Sequence, residues 1–510
     1  MKKKTEMLLV SIIILLAIAW RLMFWSEGVY GSDVFYHYTV VEQAVKEGQL
    51  SNDNNLAVCY EGAKEGHPLG YYLLPYLLAK IVGLDVAFII APVMLGIVGL
   101  ITIYGFIKII FNRRVALWTI AFLAITLAHV SKSFPFSYRG ENLVFPFLFI
   151  ALISMYKCLV EEKRLYSVVA GIASGITAFL WNGYPLIIII YIATMFFYLG
   201  YVFLKKRKTI AQKIVNAAIS LLAQSLVIIV VFLTTEMWAK GLIFGKLYYP
   251  LIVLLSLIML GLLYFSSKKR IYWPIIIMVC MMLVSILIFH KQIGELAGGF
   301  GSIKLEGLKT AELYNTQWYQ YFFGVHILGV LCLFGLYSFI KDFNEKRCLF
   351  LGLFVASVYL VFSASRYIYF SSVVIVTLAA LFLDNRKIIR KRFDMFVILS
   401  ISVFLIVLIY SLYAVPLYFA QSRYIPNAEP FLFLKDNSPS NACVVHTGEI
   451  GAAIEYFAKR YFYLHSLGNH VDRENKVSLL LMDNSTKYVD EEITHIFLYY
   501  QDLTKMNIFN

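Results

Sequence analysis

The stretch VAFIIAPVMLGIVGLITIYGFIKII, residues 86–110, carries one charged side chain, Lys108, in twenty-five residues. About 20 consecutive apolar residues of helix span a bilayer core, so the stretch predicts a membrane-spanning helix. Similar runs recur along the chain and, by the same length rule, predict about thirteen spans. The runs are residues 7–25, 86–110, 116–130, 143–160, 166–180, 185–204, 214–232, 250–265, 273–289, 321–340, 349–362, 367–383 and 395–417.

The composition agrees with a lipid environment. Of the 510 residues, 60% are hydrophobic and 15% are charged, and a soluble core cannot bury that much apolar surface. The first run follows Lys2-Lys3-Lys4 as in a secretory signal, but it is long and no small-x-small cleavage site follows, so we expect a retained helix. The net charge of +14 lies mostly in short turns, where it sets topology, and predicts no nucleic-acid partner.

The distribution of basic residues predicts the orientation. With a cytoplasmic amino terminus, every dense basic cluster falls on the inner face: residues 113–114, 163–164, 205–208, 268–270, 346–347 and 386–392. The outer face then collects the loops 26–67, 131–142 and 290–318, the turn around Arg366 and the tail. We expect a multi-pass protein of the cell membrane, with a transmembrane domain over residues 1–417.

The tail, residues 418–510, has a different pattern. Alternating apolar strands at 443–445 and 494–499 and an amphipathic helix at 452–459 predict a small extracytoplasmic α/β domain of roughly 90 residues. The six cysteines show no CxxC and no zinc-ligand spacing. Cys59 and Cys443 fall in long outer segments and can pair if both face an oxidising compartment.

The first outer loop places Asp33 at the start of a segment in which apolar residues recur at helical spacing. An Asp there can simply cap the free backbone donors of the helix. It can also bind a hard divalent cation through its oxygens. The sequence leaves both interpretations open.

The second and third outer loops combine acids with cations. The second contains Lys132, Arg139 and Glu141, where Arg139 and Glu141 can equally form a surface ion pair worth little. The third contains Glu312 and leads through Trp318 into aromatic residues typical of a membrane interface.

Arg366 lies at the outer end of a predicted helix. It can snorkel to the interface or grip a diphosphate with paired hydrogen bonds. Asp33, Glu141, Glu312 and Arg366 all fall on the same face. Acids that bind a metal, beside cations that bind phosphate, suit a reaction in which a lipid-linked phosphate leaves.

These motifs resemble those of the catalytic subunit of oligosaccharyltransferase, a membrane glycosyltransferase of the GT-C type. The similar segments are Ser32-Asp33-Val34-Phe35-Tyr36-His37, then Lys132 with Arg139-Gly140-Glu141, then Thr310-Ala311-Glu312 with Trp318, and finally Arg366. The order and sidedness of these motifs match the family along nearly the full chain.

The resemblance implies a set of roles. Asp33, Glu141 and Glu312 would bind Mg²⁺ or Mn²⁺ and orient the acceptor amide, while Arg366 and Lys132 would hold the diphosphate of a polyprenyl-linked glycan. It further implies that His37, Trp318 and Glu449 contact substrate, that the acceptor is protein asparagine on the outer face, and that transfer inverts the anomeric carbon.

The chain departs from the family at two points. Arg139 stands where the family has the first acid of the second loop, and Thr447-Gly448-Glu449-Ile450-Gly451 stands where the family has its sequon-recognising WWDYG motif. Another acceptor with the same donor chemistry is therefore an alternative. A non-catalytic scaffold or transporter of lipid-linked glycan is another, although transporters place polar sites near the bilayer midplane and charge is nearly absent from these apolar runs.

Overall fold

The computed structural model describes residues 3–23, 32–51, 53–54, 63–64, 67–205, 209–234, 249–269, 324–363, 368–384, 393–422, 429–446, 454–462 and 495–497. The first half of this part contains α1 (Lys3–Met23), α2 (Ser32–Glu47), α3 (Leu69–Val82), α4 (Leu84–Ile110), α5 (Arg113–Ile125), α6 (Leu127–Val130), α7 (Gly140–Leu159), α8 (Leu165–Gly175), α9 (Thr177–Leu180), α10 (Tyr184–Lys205), α11 (Ile210–Thr234) and α12 (Tyr249–Lys269). The second half contains α13 (Ile327–Lys341), α14 (Glu345–Ser363), α15 (Ile368–Leu383), α16 (Phe393–Ser422) and α17 (Glu429–Asn437).

Five of the described helices, α1, α4, α7, α10 and α11, are long and apolar enough to cross a membrane. They coincide with the predicted runs 7–25, 86–110, 143–160, 185–204 and 214–232. Shorter apolar helices occupy several of the other runs, and the run 273–289 lies outside the described residues. The helical membrane fold is thus confirmed, while the count of about thirteen spans stays a prediction.

The structure differs from the predicted runs at several points, and the run 166–180 is divided into α8 and α9. The run 116–130 is divided into α5 and α6 because Thr126 has an extended backbone, with φ −71° and ψ 128°. The apolar helix α3 was absent from the predicted spans. Its 14 residues extend about 21 Å, less than a bilayer core requires, and they include Pro75 and Lys80.

The chain divides into two compact units, and the first comprises Met1–Trp25, Pro92–Phe134 and Arg139–Pro416. Its helices approach one another closely at glycines, as is common in membrane proteins. A Cβ atom on Gly335 of α13 would lie 1.8 Å from the carbonyl oxygen of Leu378 in α15. One on Gly171 of α8 would lie 2.2 Å from the carbonyl oxygen of Ser220 in α11. These crossings fix the helices that carry the outer segments of this unit.

The second unit comprises Ser26–Ala91, Pro135–Tyr138 and Leu417–Asn510. It contains α2, α3 and a short antiparallel pair, β1 (Asp53–Asn54) and β2 (Ala63–Lys64). Its tail forms a three-stranded parallel sheet in the order β4 (Tyr461–Phe462), β3 (Cys443–His446), β5 (His495–Phe497). Strands β3 and β5 lie where the sequence predicts strands, and a π-helix, Ile454–Ala458, lies within the segment predicted as an amphipathic helix.

Candidate active site

Glu141 lies in the first unit as the second residue of α7, and its side chain is 1% exposed. The first turn of a helix presents free backbone N–H groups and the positive end of the helix dipole, which favour a carboxylate. A carboxylate removed from water to this degree needs a cation or hydrogen bonds to offset the loss of hydration. Glu141 is therefore a buried carboxylate whose ionised form is stabilised by the start of its own helix.

Lys132 is also buried, at 8% exposure, in the segment between α6 and α7. Its backbone carbonyl accepts a hydrogen bond from the side-chain amide of Asn142. The hydroxyl of Tyr369, near the start of α15, donates in turn to the amide oxygen of Asn142. Hydrogen bonds thus hold Lys132 and the residue after Glu141 in fixed positions within one unit.

Trp181 fixes the beginning of α7. A Cβ atom on Gly140 would lie 2.0 Å from Cδ1 of Trp181, and one on Gly183 would lie 2.3 Å from Cη2 of the same indole. The ring also stacks over Phe370 of α15, with a centroid separation of 6.4 Å. A residue larger than glycine at position 140 would displace this indole or move Glu141.

In the second unit, α2 carries Asp33 as its second residue, and nothing further is described of that side chain. His37, one turn later on α2, is 2% exposed. Its ring lies 4.6 Å from that of Tyr71 and 5.0 Å from that of His67, and its Nδ1 is 3.3 Å from the hydroxyl of Tyr72. His37 is therefore enclosed by aromatic and imidazole rings within its own unit.

The same helix packs against the tail of the second unit. The Phe35 ring lies 4.8 Å from that of Tyr456 and 5.4 Å from that of Phe457, both in the π-helix. Lys459 Nζ lies 2.7 Å from Oε2 of Glu42. Burial raises the pKa of the Glu42 carboxyl, but hydrogen bonds from Lys459 and Lys46 outweigh it, so the pKa falls below its ordinary value.

The remaining predicted residues, Glu312, Trp318, Arg366 and Glu449, lie outside the described residues. Asp33 and Glu141 belong to different units, so the sharing of one metal by Asp33, Glu141 and Glu312 stays a prediction. Within the described part of the chain, no group of three or more His, Cys, Asp or Glu side chains is arranged to hold a metal ion.

Sequence reasoning did not find several residues of this region. Arg21, His129, Asn142 and Tyr369 are all fully buried and hydrogen-bonded around the second outer loop, and Trp181 packs against its end. One signal was available for Arg21, because an ionisable residue inside an apolar run is rare and commonly functional. The other residues carry no signal without the helix packing.

The fold resembles those of two solved proteins. The oligosaccharyltransferase AglB of Archaeoglobus fulgidus superimposes with a TM-score of 0.74 at 15% identity, covering 96% of this chain and 68% of that one. ArnT of Cupriavidus metallidurans superimposes with a TM-score of 0.54 at 11% identity, covering 98% and 94%. The chain is thus a helical membrane protein with a fold of the GT-C type.

Sequence comparison is more specific. The dolichyl-phosphooligosaccharide-protein glycotransferase 1 of Pyrococcus furiosus is 22% identical over 99% of this chain, and glycotransferase 2 of the same organism is 28% identical over 36% of it. The chain spans 57% and 26% of the lengths of these two relatives. No family model matches the chain. The resemblance indicated by the motifs is confirmed: the chain is similar in sequence to archaeal glycotransferases of this kind along nearly its full length.

Proposed function

We propose that this chain is a membrane glycosyltransferase that moves a glycan from a polyprenyl phosphate or diphosphate carrier to an acceptor on the outer face of the membrane. Similarity to an oligosaccharyltransferase along 99% of the chain carries this proposal. The buried pair of side chains in the second outer loop, Glu141 and Lys132, supports it because the motif match assigns both to the site.

The donor is inferred from the cations and from the related structures. The Archaeoglobus enzyme has been solved with a dolichol-phosphate, and ArnT with undecaprenyl phosphate. In this chain Lys132 and Arg366 would hold the phosphate, Arg366 with the paired hydrogen bonds that a guanidinium forms. Trp318 and His37 would line the donor and acceptor side of the site.

A divalent cation fits the donor set. Carboxylate oxygens are ligands that Mg²⁺ and Mn²⁺ prefer, and the carboxylate of Glu141 is removed from water. The Archaeoglobus enzyme has been solved with zinc and sulfate. Here Asp33, Glu141 and Glu312 would hold the ion, which would neutralise charge on the departing phosphate. Arg139 leaves this set one acid short of the family pattern.

The reaction exchanges one bond for another. An acceptor nitrogen, whose N–H proton passes to one of the carboxylates, would form a bond to the anomeric carbon from the face opposite the carrier. The bond to the phosphate oxygen breaks, and the electron pair leaves with the phosphate. Attack from the opposite face inverts the anomeric configuration.

The basic clusters and a disulfide support the predicted orientation. An amino terminus in the cytoplasm puts the tail outside, where a disulfide persists. Cys443 in the tail is disulfide-bonded, and its partner lies outside the described residues. An outer tail brings Glu449 to the compartment in which the acceptor would be met.

The acceptor is the point at which the chain departs most from its relatives. The Archaeoglobus enzyme has been solved tethered to a peptide containing the NVT sequon. Here Thr447-Gly448-Glu449-Ile450-Gly451 lacks the tryptophans of the family motif, which favours a second candidate, a transferase with the same donor and a non-sequon acceptor.

Acceptor profiling tests both candidates. Purified protein would be given a radiolabelled polyprenyl diphosphate-linked glycan with an Asn-Val-Thr peptide, the matched Gln-Val-Thr peptide, a lipid acceptor and a polysaccharide. Transfer to the Asn peptide alone supports protein glycosylation, and transfer to a lipid or polysaccharide supports the second candidate. Absence of transfer to every acceptor, with the donor intact, contradicts the transferase proposal.

A further inference from the structure

Arg21 is a fully buried cation near the end of α1, the first membrane-spanning helix. Its Nε donates to Ser133 Oγ at 2.9 Å, and its Nη1 donates to the carbonyl oxygens of Ala17 and Ala124 at 3.0 and 3.3 Å. Nη2 lies 3.3 Å from Nδ1 of His129. Because a guanidinium has no acceptor, it must donate to Nδ1, which holds His129 as the neutral tautomer protonated on Nε2.

The charge of Arg21 has no acidic counterpart in the described part of the chain. None of the ion pairs formed there includes it. A charged side chain inside a membrane segment is costly, and such residues commonly serve a substrate or ion rather than the packing. An uncharged side chain could join α1 to its neighbours at lower cost. The unbalanced charge therefore points to an anion that is bound during function.

The hydrogen bonds of Arg21 lead to Lys132 by two routes. The direct route is Ser133, the next residue in the chain. The second passes through His129, whose ring stacks on Tyr369 with centroids 5.0 Å apart and an angle of 26°. Tyr369 then donates to Asn142, and the amide of Asn142 donates to the carbonyl oxygen of Lys132. Arg21 is thus linked to Lys132 twice, once through Ser133 and once through the contacts that begin at His129.

Gly96 of α4 provides the space that the side chains of Arg21 and Ser133 occupy. A Cβ atom on Gly96 would lie 2.6 Å from Cβ of Ser133 and 3.2 Å from Nε of Arg21. Any larger residue at position 96 would push Ser133 and Arg21 apart. The absence of a side chain at this position is therefore part of the same arrangement.

We propose that Arg21 is a positioning residue for the anionic phosphate of the lipid carrier. It fixes the backbone at Lys132 through Ser133 and through the contacts of His129, and its buried charge adds a fixed positive potential behind that lysine. Arg21 does not touch the carrier, because its side chain is completely enclosed by protein. This inference rests on the proposed function, which supplies a lipid phosphate as the ligand.

The test measures binding of undecaprenyl phosphate to detergent-purified full-length protein by native mass spectrometry, with thermal melting as a measure of folding. We expect Arg21→Met to weaken binding at least tenfold and Arg21→Lys, which keeps the charge but loses the fork, about threefold. The matched control is Arg347→Met. Arg347 also donates to backbone carbonyls, those of Ser338 and Phe339, but in a predicted cytoplasmic turn, so its loss should change binding less than twofold.

A double-mutant cycle separates positioning from general packing. Ser133→Ala should weaken binding about threefold alone but add nothing in the Arg21→Met background, because residues that act through one contact are not additive. If Arg21→Met does not fold, Ser133→Ala and Gly96→Ala are measured in its place. Each should weaken the binding of undecaprenyl phosphate more than Arg347→Met does.

Two outcomes overturn the inference, and they are distinguishable. Wild-type protein that binds undecaprenyl phosphate while Arg21→Met and Ser133→Ala bind it equally well contradicts the positioning role and leaves the proposed function standing. Wild-type protein that neither binds undecaprenyl phosphate nor transfers glycan overturns both.

Discussion

Lys459 Nζ in the tail lies 2.7 Å from the Oε2 atom of Glu42 on α2. The contact joins the segment that follows the predicted acceptor motif to the helix that begins at Ser32 and carries Asp33. Two stretches separated by about four hundred residues are thereby held in one unit. The resemblance assigns metal binding to the start of α2 and acceptor binding to the segment before Lys459. This ion pair therefore connects the helix of a proposed metal ligand to the proposed acceptor-binding segment.

Lys459→Met should lower stability by about 1 kcal/mol or less, because the pair is partly exposed. The folded pKa of Glu42 is below its unfolded value, so the pair stabilises the protein above the unfolded pKa and the benefit disappears as pH falls through the folded pKa. Melting temperatures of both proteins from pH 7 to pH 3 should therefore converge at the acidic end. Lys46→Met, which removes an exposed partner of the same carboxylate, is the control and should have a smaller effect. A difference that persists at low pH would contradict the ion-pair account.

Gly140→Ala should destabilise the protein by about 1–3 kcal/mol, because the new methyl group overlaps the indole of Trp181. Glycan transfer should fall as well, since Glu141 is the next residue. The control is Gly200→Ala in α10, where a Cβ atom has nothing within 4 Å. Adding Trp181→Leu to Gly140→Ala should restore part of the melting temperature. An unchanged melting temperature for Gly140→Ala would contradict the close contact between position 140 and the indole of Trp181.

Glu141→Gln should leave the protein folded, as judged by its melting transition, because the amide preserves the shape of the buried side chain. Binding of Mn²⁺, measured by electron paramagnetic resonance, should weaken at least tenfold. Glu47→Gln, an exposed acid at the end of α2, is the control and should bind Mn²⁺ as the wild type does. Unchanged Mn²⁺ binding by Glu141→Gln would remove Glu141 from the proposed metal site.

Arg366→Lys should weaken use of the lipid-linked donor more than use of the acceptor, because lysine cannot form the paired hydrogen bonds of a guanidinium. The measurement is the Michaelis constant for each substrate in turn, with the other saturating. We expect the donor constant to rise about tenfold and the acceptor constant to change less than twofold. An effect confined to the acceptor would contradict the assigned role.

The sequence predicted the long helices well because each is a nearly uncharged run that the bilayer length rule detects directly. Helix α3 escaped that rule because it is short and contains Pro75 and Lys80. The break at Thr126 escaped it because hydropathy carries no information on backbone angles. Length and polarity are thus readable from one sequence, and local interruptions are not.

Charge and sidedness indicated Glu141 as a site residue and the family resemblance added Lys132, and the roles of both stay predictions. The residues that hold them were not indicated, since Asn142, Tyr369 and His129 come from separate segments and meet only through helix packing. Gly140 is another example, because its necessity depends on an indole forty-one positions later. Residue type and topology are thus enough to nominate candidate residues, whereas the residues that pack around them require coordinates.

The most direct measurement is glycan transfer by purified Asp33→Ala and Glu312→Ala proteins, compared with wild type, from a polyprenyl diphosphate-linked donor to the acceptor identified by profiling. The account predicts that each substitution reduces transfer at least a hundredfold, about 3 kcal/mol in the activation barrier, while expression and melting temperature stay unchanged. Wild-type rates from both substituted proteins would contradict it and would remove these two acids from the site.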